Sequence, residues 1–197
     1  MKLLLVSEGK HELRGNGERG ALQIVVERML EAPACEIETR KVSDPAIIVD
    51  KGKGEGMLKR FVAWMRYAAR NGFDAIALVI DEDGDQSRLK QVEEAQDSTI
   101  VSIPRAIGLA IRSFDAWILA DEMAMSNVLG AEIGRQPEME NIRDPKEVCR
   151  LLCSKHFSLS EFYALVLDRA DLADLASRCP KGFAPFASRV RGLNSPA

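Results

Sequence analysis

The sequence predicts an α/β protein built on a mostly parallel sheet. Three observations carry that reading. Two apolar runs, residues 3–6 and 75–80, are continuously hydrophobic, as strands covered on both faces are. Segments with apolar residues at helical spacing stand between the candidate strands. Both runs end abruptly in polar, acidic residues, Ser7-Glu8-Gly9 and Asp81-Glu82-Asp83-Gly84-Asp85. In open α/β sheets, ligands collect at such carboxyl ends.

The elements follow in order. Leu3-Leu4-Leu5-Val6 forms the first strand, and residues 7–12 a polar turn. Gly15, Gly17 and Gly20 make the next segment loop-like. Leu22, Val25, Val26, Met29 and Leu30 define a helix over 21–30. Residues 35–42 alternate loosely and read as a second strand. A Gly/Lys loop over 51–56 precedes a helix over 57–70 with Leu58, Phe61, Val62 and Met65 on one face, closed by Asn71-Gly72. A strand over 75–80, a helix over 89–96 and a strand over 106–111 come next. Ser113-Phe114-Asp115 opens a helix that runs to about residue 128. Beyond Gly130 only short helical pieces stand out, around 147–153, 160–167, 171–177 and 185–190. The expected organisation is an α/β domain over 1–129 with a helical C-terminal extension over 130–197 packed on it.

Composition narrows the classes. A chain of 197 residues is one domain, or one domain with an appendage. With 46% hydrophobic and 29% charged residues it reads as neither disordered, collagen-like nor membrane-embedded. A net charge of −3 excludes a polybasic binder but leaves room for an enzyme with a local basic groove. The first apolar run is too short for a signal peptide, and no stretch approaches the ~18 apolar residues of a membrane span. Cys35, Cys149, Cys153 and Cys179 are then expected as reduced thiols in a cytoplasmic protein.

The acidic ends carry the chemistry. If their strands are neighbours, Glu8, Asp81, Asp83 and Asp85 converge in one cleft. Four acids in the five residues from Asp81 to Asp85 repel one another unless a cation is bound. Oxygen ligands with room for water suit Mg²⁺ or Mn²⁺. An EF-hand is excluded, because its glycine and glutamate positions hold Gln86 and Val92. Walker A fails at Ala21 and Leu22, and Gly52, Gly54 and Gly56 do not fit a dinucleotide fingerprint. The Asp-x-Asp-Gly element of aspartyl phosphatases usually follows the first strand; here it comes late, so a metal-dependent phosphatase is kept as an alternative.

Val6-Ser7-Glu8-Gly9 after the first strand and Asp81-Glu82-Asp83 after a later one resemble the two signatures of the TOPRIM domain, found in topoisomerases, bacterial primases, small RNA-maturation nucleases and OLD-type nucleases. The chain is similar along nearly its whole length to small stand-alone TOPRIM-like bacterial proteins. The shared elements are the start from Val6 to Glu12, the Lys/Gly loop from Lys51 to Gly56 and Asp81 to Gly84. They continue with the helix from Asp115 to Asp121, Asp144-Pro145-Lys146, and a tail with Phe183 and Phe186. His11 and Asp115 stand where that family commonly has Thr and Glu.

The resemblance implies a Mg²⁺- or Mn²⁺-dependent nuclease acting on DNA or RNA. Asp81 and Asp83 would hold the metal, with Glu8 as general acid/base or a further ligand. Glu8, Glu12, Lys53 and Asp115 are the candidate catalytic residues, and Glu8, Asp81, Asp83 and Asp85 the candidate metal ligands. Tyr67 and Tyr163 have no topoisomerase-like context, so a metal-activated water is the expected nucleophile. The resemblance also implies an ABC/AAA-type ATPase partner in a phage-defence setting. A non-enzymatic module that binds nucleic acid or a partner is the remaining alternative.

Residues 51–70 carry a local charge of +5, and the segment after Leu175 holds Arg178, Lys181, Arg189 and Arg191 without an acid. Lys51, Lys53, Lys59 and Arg60 are therefore the candidate nucleic-acid contacts, with a solvated basic face as the competing reading. Asp115 is also a candidate helix cap. Trp64 and Trp117 read as core. His11 beside Glu8 and Glu12 reads as a surface-loop histidine or a proton carrier. His156 has no identifiable partner. Cys149 and Cys153 lack the further ligands of a zinc site.

Overall fold

A computed structural model describes residues 1–13, 19–31, 35–49, 56–135, 138–153 and 157–194. Lys51, Lys53, most of the Gly/Lys loop, Gly15, Gly17 and His156 lie outside them. Four strands, β1 (Lys2–Ser7), β2 (Glu36–Lys41), β3 (Ala75–Asp81) and β4 (Arg105–Ala110), form one sheet in the order β2-β1-β3-β4, all parallel.

Strand chemistry explains the layering. In β1, Leu3 and Leu5 face one core while Leu4 and Val6 face the other. Both cores must therefore be covered. The helices α1 (Lys10–Leu13) and α2 (Ala21–Leu30) connect β1 to β2, and α2 covers the first face with Leu22, Val25, Val26 and Met29. The chain then doubles back over β1, which sends right-handed crossovers to the opposite face. There α3 (Gly56–Arg70) and α4 (Ser87–Gln96) bury Phe61, Trp64, Met65, Val92 and Ala95 against Ile76, Leu78, Ile80, Ile107 and Leu109. The Trp64 indole N–H donates to the Val42 carbonyl at 3.2 Å.

These crossovers leave the β3–β4 half of the first face bare. The remaining helices fill it: α5 (Asp115–Ile118), α6 (Glu122–Leu129), α7 (Pro145–Cys153), α8 (Leu159–Arg169), α9 (Leu172–Arg178) and α10 (Phe183–Gly192). On that face the strands present mostly small residues, Ala75 and Ala77 from β3, followed by Val79, and Ala106, Gly108 and Ala110 from β4. Aromatic rings come down onto the shelf. Trp117 stacks on Phe186 at 5.7 Å between centroids and meets Phe183 edge-on at 5.2 Å. Gly108 is needed for this approach: a Cβ there would stand 2.7 Å from the Phe186 ring.

The expected helix from Ser113 to about residue 128 is broken in two, which corrects that reading. Asp121 takes an extended conformation (φ −123°, ψ 93°) between α5 and α6. Its carboxylate accepts the Ala124 N–H and the Asp171 N–H, both at 2.8 Å. It thus caps α6 and ties it to the α8–α9 connection, contacts that outweigh continuity of the helix. No described helix is long and apolar enough to cross a membrane.

The shelf gives a test. Gly108→Ala should cost about 1–3 kcal/mol in urea unfolding, because Phe186 must shift. In a Phe186→Leu background the same substitution should cost measurably less, since the pair is in contact and its effects are not additive.

Candidate functional site

Strand order decides where the site lies. β1 leads outward to β2 on one side, and β3 leads to β4 on the other. The crevice between their carboxyl ends is the topological switch point of the sheet. Ser7 pairs with Val79 at this edge, so the loops after β1 and β3 are adjacent. The convergence expected of Glu8 and the Asp81 loop follows from this pairing.

After β1 the chain turns into α1, which brings Glu12 back under the strand end. Glu12 is 5% exposed. The Ser7 hydroxyl and the Gly9 N–H donate to its carboxylate. A Cβ at Gly9 would collide with that carboxylate. Burial, then the neighbouring Asp81 and Asp115 charges, push the Glu12 carboxyl well above the ordinary range.

Asp81 ends β3. Its Oδ1 accepts the Phe114 N–H at 2.8 Å. Burial raises its pKa to about 7; the Phe114 N–H opposes that shift, and Asp83, Asp115 and Glu8 add to it. No cation pairs with its carboxylate among the described residues. Asp115 is 7% exposed and accepts the Tyr163 hydroxyl. It does not cap its helix, contrary to the capping reading: no side-chain bond closes the start of α5. The Tyr163 phenol is pushed far up by burial and by the adjacent Cys149 and Asp115.

Glu8 faces a different partner. Its Oε2 accepts the Asp81 N–H at 3.2 Å and Arg88 Nη1 at 3.1 Å. Arg88 also donates to the Asp81 carbonyl and reaches Asp83 at 3.5 Å. Asp83 is exposed and left-handed (φ 49°), followed by Gly84 at φ 75°. Asp85 accepts the Ser87 N–H and hydroxyl, which lowers its pKa and commits it to the start of α4.

Above Asp81 opens a cleft of about 390 Å³, lined by Asp81, Asp83, Arg112, Ser113, Asp115 and the segment 143–146. Of the four expected metal ligands, Asp81 and Asp83 line it, whereas Glu8 and Asp85 do not. Among the described residues no group of three or more His, Cys, Asp or Glu is arranged to hold a metal ion. The expected ligand set is therefore not a preformed cage. Its donor chemistry nevertheless fits an oxygen-preferring cation: Asp81 and Asp115 each keep one carboxylate oxygen without a partner among the described residues. The buried hydroxyl of Ser113, which lines the same cleft, also has none.

The other expected residues are dispersed. Lys59 and Arg60 lie half-buried on the first turns of α3, at the same end of the sheet as Asp81. There Gln91 accepts the Met57 and Leu58 N–H groups. His11 is half-buried in α1 and not in a surface loop; its Nδ1 lies 2.8 Å from Ser160 Oγ, and burial lowers its pKa. Trp64 and Trp117 are fully buried, and Cys149 and Cys153 lie in the core. Sequence reasoning missed Arg88, Arg112, Arg143 and Tyr163 as site residues. Arg88 had a signal, standing three residues after Asp85 on a helix. The others reach the site only through tertiary packing. Comparison with protein-family models, with curated proteins and with solved structures gives no match.

Two predictions follow from the electrostatics. The folded state keeps the Asp81 proton up to about pH 7, while the unfolded chain releases it near 3.8. The stability this contributes is full below about pH 4 and lost as pH rises through about 7. In EDTA, Asp81→Asn should therefore be more stable than wild type at about pH 8, with the difference shrinking toward about pH 5. Tyr163→Phe should cost about 1–3 kcal/mol in urea unfolding, because buried Asp115 loses its donor.

Proposed function

We propose that the chain is a metal-dependent nuclease of TOPRIM type that hydrolyses phosphodiester bonds at the crevice between β1 and β3. One observation carries the reading. Asp81 is a mostly buried carboxylate without a cationic partner among the described residues, at the switch point of the sheet, under a cleft rimmed by Arg112, Arg143 and Lys146. A buried, uncompensated carboxylate is costly in a merely structural role and useful where a cation binds.

Asp81 and Asp83 would hold Mg²⁺ or Mn²⁺, which supplies charge neutralisation at the phosphate and a water acidified toward neutrality. The Phe114 N–H fixes Asp81, and Tyr163 fixes Asp115 beside it. Glu8, one oxygen of which is bonded to Arg88 and the Asp81 N–H, keeps Oε1 to accept a proton from the attacking water. Arg112, Arg143 and Lys146 would bind phosphate oxygens. An ABC/AAA-type ATPase partner belongs to the same proposal, through the family resemblance, and co-purification from co-expressing cells tests it.

A second reading has its own support. Arg88 bridges Glu8, the Asp81 carbonyl and Asp83, an arrangement that suits a binding module without turnover. Cleavage of labelled single- and double-stranded DNA and RNA separates the two. With Mg²⁺ or Mn²⁺, wild type should cleave, EDTA should abolish cleavage, and Glu8→Ala and Asp81→Ala/Asp83→Ala should lose at least about 100-fold. Well-folded wild type that binds these substrates without cutting them, with the ATPase partner present, would favour the binding module.

A further inference from the structure

The cleft over Asp81 continues past Arg112. Gly84 and Arg112 also line a second depression of about 510 Å³, whose far wall carries Glu140 and Lys181. The two form one groove, running from the start of α7 across the ends of β3 and β4 to the turn before α10. Four exposed cations stand along it: Arg143 and Lys146 at one end, Arg112 on the rib between the depressions, and Lys181 at the other end.

Acids and bases in this groove are treated unequally. Glu82 accepts the Arg112 N–H at 3.2 Å. Glu140 accepts the N–H groups of Lys181 and Gly182, at 3.1 and 2.7 Å on Oε1. Asp144 accepts the Glu147 N–H at 3.0 Å. These carboxylates are bonded to backbone N–H groups; Glu140 also feels the Lys181 charge, without a direct ion pair. None of the four cations forms an ion pair among the described residues. Arg112 is moreover left-handed (φ 64°), held there by the Glu82 carboxylate and by the Asp83 N–H, which donates to its carbonyl at 3.2 Å. A non-glycine residue kept in that conformation at the rib reflects a position fixed from both loops. On the second depression Leu89 is 47% exposed beside Ile111, an apolar surface that a base can cover.

We propose that this groove, and not the first turns of α3, carries the phosphodiester backbone of one nucleic-acid strand. Lys146 and Arg143 engage the backbone on one side of Asp81, with Arg112 and Lys181 on the other. The inference rests on the nuclease reading for the placement of the reacting phosphate over Asp81. Its cation ladder is a separate claim and is tested by binding alone.

The test uses the full chain and a fluorescein-labelled single-stranded 20-mer, as DNA and as RNA. Anisotropy is followed across salt in EDTA and again in Ca²⁺. Arg143→Glu/Lys146→Glu and, separately, Lys181→Glu should each weaken binding about tenfold or more. Neutralising these positions with alanine should lower the salt slope by about 0.7 per lost contact. Lys59→Glu/Arg60→Glu should change affinity less than about threefold. Lys181 sits on an exposed turn and touches neither Asp81 nor the core, so its variant reads binding even if the double variant folds poorly. Loss of binding in the α3 variant with the groove variants unaffected overturns the proposal, as does wild type that does not bind at about 50 mM salt. Groove-dependent binding without Mg²⁺-dependent cleavage supports the groove and overturns the nuclease reading. Cleavage that survives all groove variants does the reverse.

Discussion

A parallel sheet needs both faces covered, and three crossovers cannot cover both faces of four strands in the order β2-β1-β3-β4. Half of one face is left open beside β3 and β4. The strands answer with a shelf mostly of alanine and glycine, on which large rings pack to interior density. Trp117, Phe183 and Phe186 are those rings. From this packing follows the placement of α5 and α10 on the sheet, and with them the Ser113–Asp115 turn against the end of β3. The helices after residue 130 also deliver Tyr163 to Asp115, and Arg143, Lys146 and Lys181 to the groove. Cover of the core and construction of the cleft are thus one task.

The second constraint is electrostatic. Glu12, Asp81 and Asp115 are buried within interaction range, and Arg88 answers Glu8 and the exposed Asp83 rather than these three. Burial, and then the neighbouring carboxylate charges, raise the pKa of Glu12 and of Asp81, so the crevice holds protons there that an ordinary carboxylate would have lost. The cations nearby stay on the rim, exposed. A pattern of buried acids inside and solvated bases outside is poorly suited to self-neutralisation. It suits a ligand that brings positive charge to the floor and negative charge to the rim.

Much of the fold was legible in the sequence because burial on both faces leaves a plain signature. Residues 3–6 and 75–80 are apolar throughout, and α2 spans 21–30 as its spacing predicts. The acidic pair of strand ends was legible for the same reason, since the abrupt change from apolar to acidic marks where a strand leaves the core. The break at Asp121 was not, because its cause is the Asp171 N–H, fifty positions away. Asp85 illustrates the converse. Composition places it with Asp81 and Asp83, but Ser87 two residues on captures it as a local cap. Tyr163 and Arg143 carry no local mark; where the C-terminal helices dock brings them to the cleft, whereas Lys146 stood in the Asp144-Pro145-Lys146 element of the resemblance.

The outer margin of β4 has its own consequence. Gln96 accepts the Ile107 N–H and donates to the Arg105 carbonyl, while Arg189 donates to the Ile107 carbonyl and pairs with Glu93. Side chains thus occupy the backbone positions that a fifth strand would use. At the opposite margin β2 reads Glu36-Ile37-Glu38-Thr39-Arg40-Lys41, half-exposed and charged. A second molecule cannot prolong the sheet at β4 without first stripping these side chains away, and at β2 it would meet alternating charge. Self-association by strand addition is blocked at one end and discouraged at the other, which leaves helical surfaces and the groove mouth as the faces open to other macromolecules.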